Sequence, residues 1–271
     1  MNLSTNTSGT EQTSASDSTT QDAVIQCNHA GAFENVYAIG YIKPFFSTLD
    51  LEKQYEAAAK VVGKPTTNYS DIFNYSVTNQ NQPTLNYRPF MYLAKQATWV
   101  LTVNNVDTFE LKPSTPTQLD ALIAAAGLPT NLFILVGQTQ HHEPGFKPSL
   151  PKVRVEHLID ITKLQAAHKT TSSSKQLTFP AIKPNIGRTA TARATNYLTT
   201  HFGQINLSEA NTDIMGAISE IHFEIQANLS DRQIIEFILT SPDANRYACS
   251  IDVSDRYPFV ASPLAPFAKS N

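Results

Sequence analysis

Thr98-Trp-Val-Leu-Thr-Val-Asn-Asn-Val-Asp-Thr-Phe-Glu-Leu111 decides the class of the fold. β-branched and aromatic residues crowd Thr98–Val103 and Thr108–Leu111, and Asn104-Asn-Val-Asp107 between them has the composition of a short hairpin turn. Two strands joined so closely run antiparallel, because a parallel pair needs a crossover of about a dozen residues or more. Downstream, Thr115, Pro116 and Gln118 form a capping box with proline at the first helical position, and Gly127 and Pro129 mark where that helix stops. Leu132–Val136 then reads as a buried strand, and Lys152–His157 alternates as a strand does.

Upstream, Asn35–Lys43 places Val36, Ala38, Gly40 and Ile42 on one side and Tyr37, Ile39 and Tyr41 on the other, a strand buried on both faces. Ser47, with Asp50 three residues on, signals a helix start. Leu51, Tyr55, Ala58, Ala59 and Val62 then follow at helical spacing, and Gly63 stands where a C-cap belongs. The polar stretch Lys64–Gln82 reads as a loop around a short helix at Tyr69–Phe73, and a further helix lies between Arg88 and Gln96. Past Lys169–Pro184, rich in Ser, Thr, Lys and Pro, Asn185 has the character of an N-cap for a helix to Phe202 that Gly203 closes. Three apolar or alternating runs, Ala217–Ile225, Gln233–Leu239 and Tyr247–Val253, predict an antiparallel meander.

Hairpin-joined strands with helices that do not alternate regularly with them give an α+β class, antiparallel sheets with packed helices. The organisation expected is a disordered Ser/Thr/Asn-rich tail over residues 1–22, an α+β part over 23–168, a linker or surface loop over 169–184, and a helix plus meander over 185–268. That division would suit two subdomains.

With 41% hydrophobic residues the chain can fill a core without staples. Twenty Lys+Arg against 23 Asp+Glu, a formal net charge of −3, gives no electrostatic reason for nucleic acid or an anionic membrane. The apolar runs fall short of the ~20 residues of a membrane-spanning helix. Two cysteines make no disulfide framework, so a reducing cytoplasm is expected. Scattered glycines form no phosphate loop, and no Gly-x-Ser-x-Gly or His-Glu-x-x-His occurs.

Cys27 and His29, with His141, His142 and Glu143, are of the ligand types zinc prefers, but their spacing fits no standard site; no cofactor is expected, with zinc as the alternative. Cys249 sits in an alternating strand, where a free cysteine packs as a small hydrophobe. Arg188 and Arg193 could grip a carboxylate through their planar forks, and Trp99 and Tyr197 could line a peptide groove. Core packing and a solvated face are the ordinary fates of such residues.

Val36-Tyr-Ala-Ile-Gly-Tyr-Ile-Lys-Pro-Phe-Phe-Ser-Thr-Leu-Asp-Leu-Glu-Lys-Gln-Tyr55 resembles the opening of the C-terminal domain of the cyanobactin maturation protease PatG, a domain also found at the end of PatA. Tyr92–Gln96 leading into Trp99–Val103, Thr108–Pro113 with Leu119–Ile123, Arg193–Leu198, and Ile251–Phe259 ending in Leu264–Phe267 resemble further blocks of that family in order. Related domains carry more cysteines, where this chain has His29, Thr98 and His141-His142. The protease of that family is a separate subtilisin-like domain whose Asp, His and Ser motifs are absent here, so no protease activity is implied. The resemblance implies a noncatalytic accessory or docking domain in the biosynthesis of ribosomally synthesised, modified peptides. Its partners would be biosynthetic enzymes or a precursor peptide, with a homodimer as a further possibility and neither nucleic acid nor membrane involved. The alternative is a zinc-dependent enzyme acting on a modified peptide.

Overall fold

The computed structural model describes residues 33–79, 82–140, 149–169, 182–205, 220–225, 232–240, 244 and 246–267. The expected tail, most of the expected linker, and Cys27, His29, His141, His142 and Glu143 lie outside them. In chain order the first elements are β1 (Asn35–Phe45), α1 (Leu49–Val62), α2 (Tyr69–Phe73), β2 (Val77–Asn79), β3 (Gln82–Tyr87) and α3 (Met91–Gln96). They continue with β4 (Thr98–Val103), β5 (Val106–Lys112), α4 (Pro116–Ala126), β6 (Phe133–Thr139) and β7 (Lys152–Asp160). The remainder is α5 (Ile161–Lys169), α6 (Ala190–Ile205), β8 (Glu220–Ile225), β9 (Ile234–Thr240), β10 (Arg246–Asp252) and β11 (Phe259–Pro266).

Five strands close into a barrel in the order β1-β4-β5-β7-β6, and every pair is antiparallel except β5 with β7. The first strand is shared between the second and fourth, the third and fifth are parallel, and a helix, α4, joins the third to the fourth. That connectivity is an OB-type Greek-key barrel, with α1, α2, the β2–β3 hairpin and α3 inserted between its first two strands. β1 changes partner at its middle: Asn35–Gly40 pairs with β6 and Tyr41–Phe45 with β4. Gly40 sits at the switch because a Cβ there would stand 2.5 Å from the Thr102 carbonyl. At the β4–β5 turn both Asn104 (φ 50°) and Asn105 (φ 65°) are left-handed, the conformation a two-residue primed turn demands and asparagine tolerates.

Alternation sends Val36, Ala38 and Ile42 of β1 into the barrel, where they meet Trp99, Leu101 and Phe109. The buried faces of α1 to α4 continue this core. Trp99 packs edge-on against Phe73 of α2 at 6.0 Å, and its indole N–H donates to the Ala94 carbonyl at 3.0 Å. Burial of such a side chain stabilises by about 1.5–3 kcal/mol, and a polar edge with a partner does not erode that gain.

On the outer side of β1, Tyr37 and Ile39 pack with Ile134, Val136 and Ile161. α6 covers this wall with Tyr197 and turns Ala194, Leu198 and Phe202, at i, i+4 and i+8, onto a second sheet of order β11-β10-β9-β8. The helix is therefore wedged between barrel and sheet.

Several local expectations are corrected. The cap of α1 is Thr48, whose hydroxyl accepts from Leu51 N at 3.2 Å, one residue after Ser47. The polar stretch after Lys64 holds the β2–β3 hairpin as well as α2. Asn185 does not cap α6; its side chain accepts from Gly187 N at 2.9 Å in an Asx turn, the other local bond open to asparagine. The hydroxyl of Thr189 accepts from Ala192 N at the true helix start, and Gly203 lies inside the helix. α5 and the fourth meander strand, β11, had no expectation attached to them.

Candidate functional site

α6 places polar residues toward its two neighbours at helical spacing: Arg193, Asn196, Tyr197 and Thr200. Arg193 is 4% exposed. Its guanidinium donates to the Val253 carbonyl at 2.6 Å and to the carbonyls of Asp255 and Arg256, so one side chain satisfies three main-chain acceptors in the β10–β11 turn. Burial pushes its pKa down to about 10 while Asp255 pulls it upward, and the group is charged at neutral pH. Its Nε has no partner, alone in this among buried side-chain nitrogens and oxygens of the described residues.

The turn so held carries Arg256 and Tyr257 onto β7. Arg256 bonds Glu156 at 2.7 Å, and Tyr257 meets the His157 ring edge-on at 5.4 Å.

Asn196 donates to the Tyr37 carbonyl at 2.7 Å, and Tyr197 packs edge-on against the Tyr37 ring at 6.1 Å. On its other side Tyr197 stacks on His201 at 4.3 Å. Burial raises the pKa of both phenols strongly for Tyr37 and less for Tyr197, and the Thr200 hydroxyl, hydrogen-bonded to Tyr37, offsets only part of it. Both phenols are neutral at physiological pH, and one turn from Tyr197 the terminal nitrogens of Arg193 donate to carbonyls. Such a cluster fixes two layers against each other.

Of the four residues the sequence offered for contact with a peptide or partner, Trp99, Arg188, Arg193 and Tyr197, α6 brings two together, Arg193 and Tyr197, one turn apart. Arg188 precedes the helix, is exposed, and pairs with Glu34 through both Nε, at 2.9 Å, and a terminal nitrogen. Trp99 is 2% exposed and lies in the barrel interior, away from the other three. Cys249 is buried against β9, and burial, with Glu236 adding, pushes its thiol up to about 12. Among the described residues no three His, Cys, Asp or Glu side chains gather as a metal site. Sequence reading missed Tyr37, Asn196 and Thr200, although a polar stripe at i, i+3, i+4 and i+7 from Arg193 was there to be read.

On β4, Val100 and Thr102 point away from the core but are only 2% and 8% exposed, so the β4 part of the wall an OB barrel commonly uses is covered. A hollow of about 490 Å³ beside α2 is lined by Lys64 and Asp71, which neutralise each other at 3.1 Å. The second sheet ends at β11 on one side and β8 on the other, each paired on one side only among the described residues. β11 carries Pro263 and Pro266 and pairs with β10 through two register shifts, whereas the sequence of β8 has no proline.

Residues 35–188 match the family model described as the PatG Domain. The chain belongs to the PatG domain family. A solved structure titled "PatG Domain of Unknown Function" is similar to this PatG domain with a TM-score of 0.58 at 15% identity, over 86% of this chain and 98% of that one. At that identity the likeness speaks for the fold. The family match ends at Arg188, whereas the structural likeness, over 86% of this chain, extends beyond the matched residues. No curated protein matches this PatG domain. No helix among its described residues is long and apolar enough to cross a membrane.

Proposed function

We propose that this PatG domain is a noncatalytic docking module in the biosynthesis of ribosomally synthesised, modified peptides, and that it takes an extended stretch of precursor peptide as an added strand. The observation that carries the reading is the β8 edge, which has no proline and no second strand beside it among the described residues. An extended peptide added to such an edge gains main-chain hydrogen bonds without demanding a deep pocket. The state of the buried groups supports a role in holding: Arg193 is spent on carbonyls and the phenols of Tyr37 and Tyr197 are neutral. The peptide-biosynthetic setting rests on family membership.

Fluorescence anisotropy with labelled segments of a precursor peptide tests this. A segment should bind, and the same segment N-methylated at alternate backbone amides should lose binding, because strand addition depends on those donors. Undiminished binding of the methylated peptide would overturn strand addition, and failure of every segment to bind would overturn the docking role.

A further inference from the structure

A second sheet edge in the molecule is already filled, by the chain itself. Along Asn35–Gly40 the far side of β1 has no β4 beside it, because β4 pairs only from Tyr41 onward. Asn185-Ile186-Gly187, which belongs to no strand or helix, lies antiparallel in that gap. Ile39 N donates to the Asn185 carbonyl at 2.8 Å, Asn185 N donates to the Ile39 carbonyl at 2.8 Å, and Tyr37 N donates to the Gly187 carbonyl at 3.0 Å. The fourth group on this edge, the Tyr37 carbonyl, takes Asn196. The main-chain groups of Tyr37 and Ile39 on this edge are thereby all satisfied.

Side-chain requirements are equally specific. Gly187 is left-handed (φ +62°), and a Cβ on it would run into the Tyr37 carbonyl, so only glycine fits. Asn185 folds its side chain back onto Gly187 N, and Arg188 pairs with Glu34. Ile186, 46% exposed, points away and contributes nothing that a different residue could not. The hold is thus three main-chain bonds, one glycine contact, an exposed ion pair and, three residues upstream of Asn185, the packing of Ile182 against the Tyr37 and Ile39 cluster.

We infer that this edge of β1 is a peptide-docking site occupied in cis, and that the peptide it accepts in trans is an extended segment reading Asn-X-Gly-Arg. The ligand class is shared with the reading above, but the edge is a different one and does not depend on β8. In the resting chain the strap competes as a tethered ligand at high effective concentration, so outside peptides bind weakly until its grip is loosened. Arg188→Glu loosens it by turning an attraction to Glu34 into a repulsion.

The test uses the full chain and a labelled octapeptide with the sequence of residues 182–189. Binding to Arg188→Glu should be about five- to tenfold tighter than to the unaltered protein. Methylating the peptide nitrogen that corresponds to Asn185, the strap's one ladder donor, should abolish the gain. Methylating that of Ile186, whose N–H makes no bond to β1, should preserve it. Gly187→Val, where it yields a cooperatively unfolding protein, should bind at least as well as Arg188→Glu. Equal affinity of the unaltered and Arg188→Glu proteins, or equal effects of the two methyl groups, overturns the inference.

Discussion

The guanidinium of Arg193 in α6 donates to the carbonyl of Val253, 60 residues away in sequence, at 2.6 Å. Through this bond and its companions the helix holds the turn that in turn reaches the barrel at Glu156 and His157. Replacing Arg193 by alanine takes the donor from the buried Val253 carbonyl and releases the carbonyls of Asp255 and Arg256 in the exposed part of the turn. Stability should fall by about 3 kcal/mol, read as a lower denaturation midpoint at unchanged slope. Arg193→Lys should recover little, since an ammonium cannot reproduce the planar fork. A loss under about 1 kcal/mol would mean the turn is held by other contacts.

Asp252 is fully buried and accepts from Ser254 N at 2.8 Å and from Arg232 at 2.6 Å. Burial pushes its pKa up, but the Ser254 N–H, the Ser254 hydroxyl and the Arg232 charge outweigh it and hold the carboxyl below its ordinary value. Folding therefore favours the ionised form: the contribution is complete above the ordinary carboxylate value of about 3.9 and is lost as pH falls through the depressed one. Unfolding free energy measured from neutrality to about pH 2 should drop more steeply for the unaltered protein than for Asp252→Asn. Parallel curves would contradict the assignment.

Gly40 marks the change of partner in β1, with the Thr102 carbonyl 2.5 Å and Leu101 3.1 Å from where a Cβ would sit. Gly40→Ala should cost about 2 kcal/mol by prising β1 from β4. The single tryptophan, Trp99, lies inside the barrel and reports this directly. Its emission should shift to the red at a lower denaturant concentration in the variant, and coincident curves would show that β1 absorbs the methyl group.

The Cys249 thiol, 2% exposed and pushed up to about 12, should react with a thiol reagent only as the chain opens. In a Cys27→Ser background the labelling rate should rise with denaturant, in step with unfolding. Stoichiometric labelling under native conditions within seconds would place the thiol at the surface.

Elemental analysis of protein purified without a histidine tag should find well under one zinc per chain, since Cys27, His29, His141 and His142 have no standard ligand spacing. A value near one, abolished by both Cys27→Ser and His141→Ala, would move the functional reading from docking to metal-dependent catalysis.

By itself the sequence determined what depends on neighbours a few residues apart. A hairpin turn within Asn104–Asp107, the Thr115–Gln118 capping box and the alternation of β1 are written in local φ/ψ preference and side-chain reach, and the structure contains all three, with the turn narrowed to Asn104-Asn105. With them came the α+β class and, through Val36–Tyr55 and the later blocks, the family. Asn185 was ambiguous for a physical reason: one amide can cap a helix or close an Asx turn, and only the approach of Ile39 selected the turn. Arg193 was ambiguous in the same way, since a lone arginine on a helix reads as solvated until the Val253 turn arrives to cover it. Barrel closure, the parallel β5–β7 pair, and the filling of the β1 edge by Asn185-Ile186-Gly187 were decided by tertiary structure alone, because they join segments that share no local bond and are chosen by main-chain groups every residue possesses.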